Sequence, residues 1–138
     1  MIYLDACLVI YWVEEHSIFG PLVEQRVLNV APTPFAICPL VMTEALVMPY
    51  RNNNLSLIHK FEAFFANSLI LPLPDTVFLN AARLRAVHPS LKTPDAIHLA
   101  CAQHHGCQAF WTQDDRLQRI AGNYAVNVCV EQNPDSTL

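Results

Sequence analysis

The stretch 91-LKTPDAIHLACAQHHGCQAFWTQDDRL-117 carries, in order, a helix start, a helix stop, an apolar strand and an acidic pair. Thr93 offers an N-cap hydroxyl, and Pro94 suits a first helical turn because no N–H is needed there. Asp95 places negative charge at the positive end of the helix dipole, and Gly106 supplies the stop. The strand over 109–111 is apolar and short enough to be a central one. A helix that runs directly into such a strand is the second half of a parallel crossover unit, which places the chain in the α/β class.

The same alternation extends in both directions. Apolar runs bounded by Pro, Gly or an acidic residue predict strands over 2–4, 35–38, 69–71 and 126–130. Between them, helical periodicity predicts helices over 6–15, 22–30 (with Pro21 in a first turn), 40–48, 54–67 and 76–87. In the helix over 54–67, Leu57, Ile58, Phe61, Phe64 and Phe65 form a stripe that reads as core. The expected architecture is a three-layer α/β/α fold around a parallel sheet of about five strands. One domain is expected over 1–130, followed by a polar tail over 131–138 that lacks any apolar pattern.

Composition narrows the partners. Hydrophobic residues make up 53% of the chain and charged residues only 14%, so apolar helix surface is left that one small sphere cannot cover, and a homodimer is expected. The net charge of -4 has the wrong sign for a protein that coats itself in nucleic acid, so any RNA must bind locally. The apolar run at 8–13 is far too short for a membrane span, and no signal peptide is readable. Five cysteines at 7, 38, 101, 107 and 129 form no CxxC pair and suit a reducing compartment. A cytoplasmic location is therefore expected. A zinc site at Cys101, His104 or His105, and Cys107 is set aside for ordinary packing, because a structural site wants four ligands and the fourth is not evident.

In an open parallel sheet, ligands gather beyond the carboxyl ends of the strands. Asp5 and Asp114 each follow a predicted strand, while Glu44 and Asp95 stand early in helices that adjoin the same edge. Each has an ordinary reading on its own: Asp5 and Asp114 as caps, Asp95 as a dipole partner, Glu44 as a surface residue. Jointly placed, four carboxylates repel one another and raise each other's pKa unless a cation neutralises them. Hard oxygen ligands suit Mg²⁺ or Mn²⁺, and such a site can activate water against a phosphodiester. Placement alone leaves a phosphatase or a receiver-like phosphoacceptor open. The latter wants an acidic pair after the first strand, where Asp5 stands alone, and a lysine after a late strand, whereas Lys92 precedes a helix.

Three segments, 1-MIYLDACLVIYW-12, 37-ICPLVMTEAL-46 and the stretch over 91–117, resemble the successive motifs of PIN domains, and the last resembles VapC-like toxins of type II toxin–antitoxin systems. That resemblance implies a PIN-like fold and an endoribonuclease with Asp5, Glu44, Asp95 and Asp114 as its acids. Asp5, Asp95 and Asp114 would hold Mg²⁺ or Mn²⁺, Glu44 would complete the acidic pocket, and Thr112 would orient Asp114. It further implies an RNA substrate, a homodimer and a VapB-like antitoxin that points a basic side chain into the pocket. Cys7 and Cys38 depart from the family pattern, which has Ser or Asn at the first position and often Ser at the second. Asp115 stands beside Asp114 as a second candidate for the fourth acid. A solitary PIN nuclease and a non-catalytic PIN-like module are the alternatives; the second would be favoured by loss of an acid, and none is lost. His98, one turn beyond Asp95, reads as a neutral structural imidazole, and Trp12 and Trp111 as core or dimer contacts rather than base-stacking residues.

Overall fold

The structure is a computed structural model of the chain that describes residues 1–131. Its elements run β1 (Ile2–Leu4), α1 (Ala6–Val13), α2 (Phe19–Asn29), β2 (Phe35–Ile37), α3 (Pro39–Arg51), α4 (Leu55–Ala66), β3 (Leu69–Ile70), α5 (Asp75–Val87), α6 (Thr93–His104), β4 (Ala109–Thr112), α7 (Asp115–Ala121) and β5 (Ala125–Asn127). The five strands form one sheet in the order β3-β2-β1-β4-β5, parallel throughout. β1 is therefore central, and strand order reverses between β1 and β4. That is the switch point at which α/β sheets open a crevice beyond their carboxyl ends.

Pleating sorts the core into two layers, because alternate side chains of a strand face opposite ways. Ile2 and Leu4 of β1 pack with Leu8, Val23, Val41 and Phe61 from α1 to α4. Tyr3 faces the other layer, with Val77, Ala81, Leu99 and Leu117 from α5 to α7. The expected three-layer arrangement is the observed one, and the stripe at Phe61 and Phe65 is buried as core.

Local differences have local causes. The N-cap of α6 is Lys92, whose carbonyl accepts from Ala96 N at 3.0 Å, and not Thr93. The Thr93 hydroxyl instead accepts from Arg85 Nη1 at 2.8 Å, which ties α5 to the start of α6. Gly106 follows α6 at φ +70°, the left-handed conformation expected of the stop. β5 begins and ends earlier than the predicted 126–130. Its last residue, Asn127, turns its amide to Gln113 O and Asp115 Oδ1, and its Oδ1 accepts from Cys129 N, which bends the chain out of the ladder. Helix α7 had no counterpart in the sequence pattern, since it is short and buries only Leu117. The tail expected over 131–138 lies, beyond Glu131, outside the described residues.

Candidate active site

Four elements deliver carboxylates to one open pocket of about 670 Å³ at the switch point: Asp5 from the end of β1, Glu44 from α3, Asp95 from the first turn of α6 and Asp114 from beyond β4. Lys92 and Arg116 are the cations on its wall. The ordinary readings and the joint placement hold together. Asp5 caps α1, its Oδ1 accepting from Ala6 N at 2.8 Å, and Asp114 caps α7, accepting from Arg116 N at 2.9 Å.

Asp5 is the deepest of the acids, with only 7% of its surface exposed. Its second oxygen accepts from the buried Thr112 hydroxyl at 2.8 Å. Burial pushes its pKa up; the His98 charge, Thr112 and Ala6 pull against that rise, and Glu44 adds to it. Asp95 is also raised, first by burial and then by the charge of Asp5, with Asp114 and Glu44 contributing. These two acids are held where a second negative charge is unwelcome.

Asp114 goes the other way. The Arg116 guanidinium grips both its oxygens, Nε to Oδ1 at 3.0 Å and Nη2 to Oδ2 at 2.6 Å, and this hydrogen bonding holds the carboxyl below its ordinary range. Thr112 serves this acid too, but through the backbone: its Oγ1 accepts from Asp114 N at 3.0 Å. Its hydroxyl proton goes to Asp5, a link that the sequence did not suggest. Asp115 also lines the pocket, with Oδ1 taken by Asn127 Nδ2 at 2.9 Å.

Glu44 reaches across the edge of the sheet to His98, with Oε1 2.5 Å from Nε2, while Tyr3 Oη lies 2.6 Å from Nδ1. His98 is fully buried. Burial alone disfavours its charged form, but hydrogen bonding to Cys38 and to Glu44 and the charges of Asp5 and Glu44 outweigh it and push His98 up to about 10. The structural imidazole expected from the sequence thus has partners that favour its charged form. Cys38 and Glu44 are both remote from it in the chain, and only the fold brings them together.

The departing cysteines are both packed, Cys38 fully buried and Cys7 partly so. Cys7 lines it, yet burial and the charge of Asp5 push its thiol up, so it stays protonated. Cys38 precedes α3 without capping it and lies 3.7 Å from His98 Nδ1.

Among the described residues, no group of three or more His, Cys, Asp or Glu side chains stands ready to hold an ion as placed. Three of the acids are instead engaged by the protein: Asp114 by Arg116, one oxygen of Glu44 by His98, and Asp5 by Thr112 and Ala6. The donor set itself, all carboxylate oxygen around one pocket with two acids raised by burial and mutual repulsion, fits a hard divalent cation once Arg116 releases Asp114.

Comparison with known proteins agrees with the fold. The fold is similar to a toxin–antitoxin complex from Klebsiella pneumoniae, at 20% identity and TM-score 0.75, over 93% of this chain and 98% of that one. It is similar to VapBC2 from Rickettsia felis, bound to a DNA fragment from its promoter, at 16% identity and TM-score 0.77, over 92% and 98%. It is also similar to VapC20 from Mycobacterium tuberculosis, a Sarcin-Ricin loop cleaving toxin, at 13% identity and TM-score 0.72, over 89% and 96%. Comparison with curated proteins gives no match. The family model of the PIN domain matches residues 2–123, most of the chain, and the protein belongs to the PIN domain family.

Proposed function

We propose that this protein is a metal-dependent endoribonuclease, the toxin of a type II toxin–antitoxin pair, which hydrolyses RNA phosphodiester bonds. The observation that carries the reading is the convergence of Asp5, Glu44, Asp95 and Asp114, from four separate elements, on the pocket at the sheet's switch point in a PIN domain. Asp5, Asp95 and Asp114 would hold Mg²⁺ or Mn²⁺, which when bound supplies an activated water and neutralises charge on the phosphodiester.

The chain's own residues prepare that chemistry. Ala6 N–H and the Thr112 hydroxyl fix both oxygens of Asp5 before any ligand arrives, so little reorganisation is left for the reaction. Glu44 lines the pocket with its side chain 33% exposed. Lys92 and Arg116 are suited to the phosphates on either side of the scissile bond. Structured RNA is the class to test first, since the similar VapC20 is a Sarcin-Ricin loop cleaving toxin.

An antitoxin partner is supported by the toxin–antitoxin complexes among the similar structures. Its basic side chain would compete with Arg116 for Asp114. A homodimer is supported by apolar residues left exposed on α3 (Val47, Met48, Tyr50) and α5 (Phe78, Leu79). Among the described residues no helix is long and apolar enough to cross a membrane. Five free cysteines suit a reducing compartment, so we place the protein in the cytoplasm, and we read one domain over 1–130. The test is RNA cleavage by the purified chain with Mn²⁺. Cleavage that stops with EDTA and with Asp95→Asn supports the reading, and cleavage indifferent to both overturns it.

A further inference from the structure

Beneath the acidic pocket lies a buried polar chain that no step above uses. Tyr3 in the central strand, His98 in α6 and Glu44 in α3 are joined end to end at 2.6 and 2.5 Å. Tyr3 and His98 are both fully buried. α3 supplies Val41 and Ala45 to one core layer, and α6 supplies Ala96 and Leu99 to the other. The chain therefore crosses from one layer to the other around the carboxyl edge of β1, directly under the pocket.

We propose that His98 is the positioning residue for Glu44: its Nε2–H holds Oε1, the Tyr3 hydroxyl fixes the imidazole ring from the opposite nitrogen, and Oε2 is thereby presented to the pocket. The argument is geometric and holds in either charge state of the ring. A carboxylate only accepts, so Nε2 carries the proton facing Glu44 whether or not Nδ1 is also protonated. The Tyr3 hydroxyl can then donate to Nδ1 or accept from it. Among the described residues, Oε2 of Glu44 takes no hydrogen bond from the protein, which leaves that oxygen for a ligand in the pocket.

A buried histidine needs partners for both nitrogens, and a backbone carbonyl would satisfy Nε2 as well as a carboxylate does. Here the partner is a pocket-lining acid on another helix. An unanchored glutamate on a half-exposed helix face would sample several rotamers, and fixing it before substrate binds removes that entropy from the reaction. His98 touches neither substrate nor ion in this arrangement and acts only through Glu44.

The inference rests on the nuclease reading, and a double-mutant cycle separates the two. Full-length wild type, His98→Leu, His98→Gln, Glu44→Gln and the His98→Leu/Glu44→Gln double variant are assayed on a labelled structured RNA with Mn²⁺. His98→Leu is expected to lower kcat by about 10- to 100-fold, the range for outer-sphere partners, with KM unchanged. His98→Gln, which keeps an amide donor near the position of Nε2, should recover most of that loss. The double variant should be no slower than Glu44→Gln alone, since His98 has nothing left to position. Losses that multiply in the double variant, or a His98→Leu effect confined to KM, would overturn the proposal. If His98→Leu does not fold, Tyr3→Phe takes its place in the cycle with a smaller expected loss. Proton NMR reads the contact without activity: a far-downfield Nε2–H resonance of His98 should move in Glu44→Gln, and one that does not move overturns the proposal. Wild type that cleaves no RNA under any metal condition brings down the nuclease reading instead, while the NMR result still reports on the contact.

Discussion

Asp5 and Asp114 end adjacent strands of one sheet and cap the helices that follow, yet their surroundings oppose each other. Asp5 is almost wholly buried and held by two fixed donors, a backbone N–H and the Thr112 hydroxyl, with its pKa raised first by burial. Asp114 is closed by the side chain of Arg116, 60% exposed, with its pKa lowered by that guanidinium. One acid is built into the core, its oxygens held by uncharged donors; the other is gripped by a cation on an exposed arm. The pocket is thus half preformed and half latched.

The sharpest way to break this contrast is to neutralise each acid in turn. Asp5→Asn and Asp95→Asn should abolish Mn²⁺ binding, read by calorimetry, and leave the metal-free protein as stable as wild type or more so, because each relieves a raised carboxylate. Asp114→Asn should also lose the metal, but without any gain in metal-free stability, because its carboxylate is already satisfied. Equal stabilisation by all three would erase the distinction.

A smaller loss is expected from Thr112→Val. The buried Asp5 oxygen then has no donor, which should cost about 1–3 kcal/mol in urea unfolding. Mn²⁺ affinity should fall by about 10- to 100-fold, as for other outer-sphere partners. Retention of full affinity would show that Asp5 needs no such support.

pH sharpens the same comparison, with opposite signs. The folded state holds the Asp5 proton to higher pH than the unfolded chain does, so metal-free stability falls as pH rises from the ordinary carboxylate value to the raised one. Asp114 contributes stability above the ordinary value and loses it as pH falls through its lowered one. Thermal melts across acidic pH should therefore lose the high-pH decline in Asp5→Asn and the low-pH decline in Asp114→Asn. The smallest effect is expected from Arg116→Gln, which should tighten Mn²⁺ binding a few-fold by freeing Asp114, with little change in melting temperature, since exposed ion pairs stabilise weakly.

How much of this the sequence carried follows from how local each feature is. Strand β1 and helix α6 are legible because apolar runs, Pro94 and Gly106 are signals within a few residues, and the four acids could be picked out because Asp5 and Asp114 follow strands and Glu44 and Asp95 stand early in helices. The Thr112 to Asp5 bond joins residues 107 apart in sequence, and the His98 to Glu44 bond residues 54 apart. No periodicity encodes those contacts, and they hold two of the acids in place. The Arg116 latch is sequence-local, but a basic residue two positions after an acid on a short helix looks like an ordinary solvated charge until both oxygens are seen to be gripped. Thr93 erred in the other direction: it is a good capping residue whose hydroxyl was already taken by Arg85.

The central claim, that these carboxylates make a metal-dependent ribonuclease site, is tested most directly by titrating Mn²⁺ into the metal-free chain with a labelled structured RNA, for wild type and Asp95→Asn together. The account predicts cleavage at defined positions that appears with the metal, disappears with EDTA and is absent in Asp95→Asn at every Mn²⁺ concentration. Cleavage by Asp95→Asn at the wild-type rate, or wild-type cleavage that persists in EDTA, would contradict it.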